Sequence, residues 1–249
     1  MAISLKKQAP KAGEEVIDVG EAGTAVAVQA PAQVSIEVRH SANSDVSGEI
    51  SRGDLNLPGF QIVQSVGPAS EDHAPGTILL NREAELSTGE TPVKLTVLKV
   101  DISYVENLEY GGENIPRKFN TLAEVKEVGG YIEWIDDKKP PFSKMAEARI
   151  MVEAPADADE SVLAHFPYEF EGKNYAQAIW SLRGSAFTRA GKTILTAAEF
   201  ALKDGLYKGS WTLTTKREKL GKNFVFIPIL RHSDKNPPTV QEFFLSLRS

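Results

Sequence analysis

A chain of 249 residues, 41% apolar and 25% charged, has the balance of a globular protein with one sizeable core. It has no cysteine, which excludes disulfides and thiolate metal sites, and His40, His73, His165 and His232 stand without metal-ligand spacing. Net charge is −6 and no apolar run approaches the roughly 18 residues of a membrane span, so the expectation is a protein of the cytoplasm (host cytoplasm if viral), without membrane partner, metal or cofactor.

Residues 1–32 are rich in Ala, Gly, Val, Glu and Pro and lack aromatics, which predicts a flexible N-terminal arm. Its Thr24-Ala-Val-Ala-Val run could pair as a strand with another chain or an open sheet edge. The span 33–236 is read as one domain. VSIEVRH, from Val34, alternates as a short strand, Arg52-Gly53-Asp54 reads as a turn, and HAPGTILLNREAEL brings Pro-Gly turn chemistry before an apolar run.

PVKLTVLKVDISYVENL is the strongest strand, with Leu95, Val97 and Lys99 on one face and Thr96, Leu98, Val100, Ile102 and Tyr104 on the other. Its length predicts a bend or bulge partway. TLAEVKEVGG reads as a short helix or turn, and GGYIEWIDD and AEARIMVEAP as strands joined through Lys138-Lys139-Pro140-Pro141. ADADESVLAHF reads as an acidic link with a short helix. At the C-terminus, 237–249, Val240, Phe243, Phe244 and Leu247 recur at helical spacing, with Thr239 and Glu242 in capping-box positions. That pattern is an amphipathic helix, docking on its own core or else on a partner or a second copy.

The unusual segment is 173–231. Eleven cations face three acids there, a balance of +8 inside an acidic protein. The order read is strand NYAQAIWSL, helix SAFTRAGKTILTAAEFALKDG, strand SWTLTT, mobile loop KREKLGK, strand NFVFIPIL. Phe187, Ala190, Ile194, Ala197 and Ala201 form the apolar helical face, and Asp204-Gly205 stops the helix. Ala190-Gly191-Lys192-Thr193 resembles the end of a P-loop but lacks the Gly five residues before Gly191, and it falls mid-helix where its amides are already bonded. No nucleophile sits beside a base in a known pattern, which argues against an enzyme with a catalytic site.

Cations neutralise a phosphate backbone, and exposed aromatic faces stack unpaired bases at roughly 1–3 kcal/mol each. The nucleic-acid-binding candidates are Lys173, Tyr175, Trp180, Arg183, Arg189, Lys216, Arg217, Lys219, Lys222 and Phe224. From Pro92 onward the element order is that of an OB-type barrel, which carries a helix between its third and fourth strands. The fold class expected is mainly β with few helices: an OB-fold-like five-stranded Greek-key barrel core with additional strands and a C-terminal amphipathic helix.

LPGFQIVQSVGP and PGTILLN, then WSLRGSAFTRAGKTI and YKGSWTLTTKREKLGKNFVFIP, resemble the tailed-phage family of OB-fold single-stranded DNA-binding proteins over roughly residues 55 to 231. The resemblance implies sequence-tolerant coating of single-stranded DNA in phage replication or recombination, with replication or recombination proteins as partners. It points to Trp180, Arg183, Lys216, Arg217, Lys219, Lys222 and Phe224. The chain departs from that pattern in ending FFLSLRS where such proteins often carry an acidic tail. The alternative is a virion structural or assembly protein, a β-rich lattice module whose arm and terminal helix make intersubunit contacts.

Overall fold

Alternation of apolar and small residues along five long strands builds one sheet that packs a large core cluster and a smaller one. A computed structural model describes residues 56–108, 114–221 and 223–247, which lie in the compact unit Ser35–Ser249. The expected arm, the VSIEVRH strand and the Arg52-Gly53-Asp54 turn lie outside the described residues. The strands are β1 (Gly59–Ile62), β2 (Ile78–Leu80), β3 (Ala84–Ser87), β4 (Val93–Glu106), β5 (Lys118–Phe119), β6 (Phe142–Glu153), β7 (Tyr168–Phe170), β8 (Lys173–Arg183), β9 (Gly209–Leu220) and β10 (Asn223–Lys235). The helices are α1 (Ala69–Asp72), α2 (Leu122–Glu127), α3 (Glu160–Leu163), α4 (Gly184–Ala186), α5 (Lys192–Phe200) and α6 (Pro238–Ser246). A π-helical turn, Phe187–Gly191, joins α4 to α5. None of these helices is long and apolar enough to cross a membrane.

The fold is mainly β: the strands run β10-β9-β4-β6-β8-β1-β2-β3, with β5 beside β4 and β7 beside β8, as a curled, open half-barrel. Antiparallel β4 and β6 pair from Leu95↔Val152 to Glu106↔Phe142. A register shift between Val97 and Lys99 is the irregularity that the length of this strand predicts. It also corrects the expected faces: Val100 and Ile102 join Leu95 and Val97 at the core instead of opposing them. Ala146, Ala148, Ala176 and Ala178 point inward and leave room for Trp180, Trp211, Phe187 and Ile194 in the same cluster.

The two ends of the sheet approach each other without a backbone ladder. β1 lies parallel to β8 (Phe60↔Trp180). Beyond β1, the Gln64 carboxamide takes the place of a strand, donating to the Phe226 carbonyl (2.8 Å) and accepting from the Phe226 N–H (3.0 Å). Thr215 adds an N–H bond to the Gly89 carbonyl (2.8 Å) and a hydroxyl bond to the Gly76 carbonyl (2.9 Å). Gly76 has φ 99°, and a Cβ there would meet the Phe226 ring at 2.7 Å, so the seam closes only around glycine.

The long helical segment matches its predicted start, and Phe187, Ala190 and Ile194 are buried. It ends at Phe200, earlier than expected, and Ala201 is exposed. The Lys192 N–H bonds the Phe187 carbonyl and is not available to a phosphate. At the C-terminus α6 docks on the chain's own sheet, placing Val240, Phe243, Phe244 and Leu247 against Leu98, Met151 and Tyr175. Phe243 stacks on Phe170 with centroids 4.5 Å apart. The capping box does not form: Pro237 occupies the cap position, and the Thr239 hydroxyl donates instead to Glu171 (2.7 Å). GGYIEWIDD is not a strand; its one ladder contact is the bridge Ile135↔Lys138 around Asp136-Asp137, whose φ values of 49° and 60° make a tight turn.

Candidate functional site

The KREKL stretch, expected to be a mobile loop, is strand. β9 continues to Leu220, which pairs with Asn223, and the chain reverses just after Gly221, at φ 62°. Pleating therefore fixes the cations on alternate faces. Arg217 and Lys219 lie opposite Phe226 and Phe224, whereas Lys216 and Glu218 lie opposite Ile227 and Val225. The Arg217 guanidinium sits 4.1 Å from the centroid of the Phe224 ring, which is 47% exposed, and Lys216, Arg217 and Lys219 are all exposed. On the other face Glu218 accepts from Arg189 at 2.6 Å, which ties the hairpin to the π-turn and commits the Arg189 charge. The base of this ribbon is clamped by Gln64 and Thr215, while its tip is a cation and aromatic ladder.

One cleft adjoins the ribbon through Phe226 and Pro228, and a second shares Arg183 and Ser185 with the first. The first, about 780 Å³, runs between β1 and β10 with Phe226 on one wall and Arg82 and Arg183 on the rim. The second, about 920 Å³, lies under the β4–β6 connection and is lined by Arg183, Lys139, Lys144, Trp134 and Phe187. The Arg183 guanidinium is anchored by Nη2 donations to the Glu106 carbonyl (3.0 Å) and Asn107 Oδ1 (2.9 Å) and by an Nε donation to Ser143 Oγ (3.3 Å). Partial burial pulls its pKa below the usual arginine range. Glu106, the carboxylate lining this cleft, is engaged elsewhere: Arg117 holds it at 2.7 and 3.0 Å, and those hydrogen bonds lower its pKa. Lys144 lies over the Phe187 ring at 5.9 Å.

Other predicted residues are placed elsewhere. Tyr175 is core, packed edge-on against Phe244 at 5.4 Å, and burial raises its pKa. Trp180 is also core, edge-on to Phe60 at 5.4 Å. Trp180 belongs to the lining of the first cleft but is only 3% exposed, and α6 covers Tyr175, so neither ring face is free. Lys173 pairs with Glu153 at 3.0 Å, away from the hairpin. The Lys222 side chain lies outside the described residues. Sequence reasoning missed Trp134, which is 68% exposed, together with Arg82, Lys139 and Lys144. The available signal was Ile-Asp-Asp-Lys, a tight-turn sequence that ends a strand reading and projects the preceding Trp.

Charge is segregated among the grooves. A third cleft, of about 610 Å³, is lined by Glu85, Glu153, Asp157 and Asp159 with Lys94, the reverse of the balance around Arg183. No protein-family model, curated protein or solved structure matches this chain.

Proposed function

We propose that the protein is a non-catalytic, sequence-tolerant single-stranded DNA-binding protein that coats DNA in phage replication or recombination. The observation that carries this reading is the β9–β10 tip, where Arg217 lies on the exposed ring of Phe224 with Lys219 on the same face. Cations spaced by the pleat meet successive phosphates, and an exposed ring stacks a base of any sequence. Phe226, opposite Arg217 in the ribbon, lines the cleft bordered by Arg82 and Arg183, which extends the basic surface beyond the tip.

The strand order supports an OB-type reading. Within the sheet β10-β9-β4-β6-β8 follows the neighbour order of a five-stranded Greek-key barrel, with the helical segment falling between its third and fourth strands. β1 stands beside β8 where the barrel would close. A net charge of −6 does not oppose binding, because the local field around the hairpin is positive.

Fluorescence anisotropy with labelled oligo-dT, single-stranded and duplex, tests the proposal. Tight binding to single strands with weak binding to duplex is expected. Absence of binding at low salt would overturn it.

A further inference from the structure

Among the described residues, the cleft under the β4–β6 connection holds a cation with no carboxylate paired to it. Arg183 is half-buried, and its hydrogen-bond acceptors are neutral: a backbone carbonyl, a carboxamide oxygen and a hydroxyl. Among the described residues no carboxylate pairs with Arg183, Lys139 or Lys144, and the one acid lining the cleft, Glu106, is taken by Arg117. Removing a guanidinium from water without a counter-charge is unfavourable, and an entering anion offsets that cost. The anchoring bonds also fix the plane of the guanidinium in advance, which suits a tetrahedral oxyanion.

The second feature is Trp134. Trp180 is 3% and Trp211 0% exposed, whereas Trp134, on the wall of this cleft, is 68% exposed. It precedes the tight Asp136-Asp137 turn, whose Ile135↔Lys138 bridge holds the segment in place. An aromatic face beside a pre-oriented cation is chemistry for a nucleotide, the ring for the base and the guanidinium for the phosphate. At about 920 Å³ the cleft has room for a nucleotide and its neighbours.

We infer that this cleft is a nucleotide subsite, in which Arg183, with Lys139 and Lys144, takes a backbone phosphate of single-stranded DNA and Trp134 stacks the adjoining base. The inference rests on the proposed single-stranded DNA reading and adds a contact point separate from the hairpin tip. Duplex DNA does not fit it, because paired bases have no free face to offer Trp134.

The test follows one titration by two signals, anisotropy of a labelled oligo-dT and intrinsic tryptophan emission of the full chain. Because two of the three tryptophans are buried, quenching reports on Trp134. The wild type should be quenched in step with binding, and Trp134→Phe should lose the quenching while keeping most of its affinity. Trp134→Ala should weaken binding by about 5- to 150-fold, the range of one base stack. As an exposed position, Trp134 tolerates both changes without loss of folding. Arg183→Gln should lower the salt slope, by roughly one. If the oligonucleotide binds by anisotropy but emission is unchanged and Trp134→Ala binds like the wild type, the subsite is refuted and the hairpin reading stands. If nothing binds, both fall together.

Discussion

Phe224 and Tyr175 are both base-stacking candidates in the sequence, and their surroundings separate them. Tyr175 is enclosed by Phe243 and Phe244, while Phe224 lies beyond the buried part of β10 with Arg217 on its ring. Phe224→Ala should therefore weaken oligo-dT binding by about 1–3 kcal/mol. Its denaturant midpoint should stay near wild type, since an exposed ring adds little to the core; equal affinity in an anisotropy titration would contradict the assignment. A second residue-scale expectation concerns His73, whose Nδ1 lies 2.6 Å from Glu85 Oε1. That hydrogen bond, with the Glu85 charge, raises the histidine pKa. A raised pKa means the imidazolium stabilises the fold fully below about pH 6.5, and the contribution is lost as pH rises through the higher folded value. Thermal melts of wild type and His73→Gln should differ at about pH 6 and converge at about pH 8.5. A constant difference would show that the pair is not titrating there.

At the scale of elements, periodicity identified β4, β6, β8 and the helix after β8, because each buries one regular face in the same core. It erred where burial does not decide. KREKL has no apolar alternation, yet it is strand because the pairing begun at Trp211 and Leu213 propagates along β10 to the turn. GGYIEWIDD alternates well and is not strand, since among the described residues it meets the sheet by a single backbone hydrogen bond, from the Phe142 N–H to the Tyr131 carbonyl, and forms no ladder with it. A pattern shows which side of a strand would be buried, not whether an edge exists for it to join. The docked α6 was legible from its spacing, and its contribution can be measured. Phe243→Ala removes a ring packed on Phe170 and Tyr175 and should cost about 3–5 kcal/mol in urea unfolding, while Leu245→Ala on the exposed side should cost under about 0.5 kcal/mol. A Phe243→Ala cost as small as that of Leu245→Ala would mean that α6 does not dock in solution.

Across the whole molecule, the site combines segments far apart in the chain. Arg82, Trp134, Arg183 and Phe226 come from four different stretches, brought to neighbouring clefts by the curl of the sheet and by the Gln64 and Thr215 contacts across its seam. The +8 segment pointed to the hairpin and Arg183, but no local pattern could reveal that the β4–β6 connection supplies the aromatic wall beside them. An acidic chain with a basic path also implies strong dependence on ionic strength, because the attraction is local and screened within about 10 Å at 0.1 M salt. The most direct measurement is therefore the slope of log affinity against log salt for oligo-dT, wild type against the double variant Arg217→Ala, Lys219→Ala. Two lost phosphate contacts should flatten the slope by about 1.4 and weaken binding to every sequence alike. A wild-type slope and affinity in the double variant would contradict the placement of single-stranded DNA on the β9–β10 hairpin.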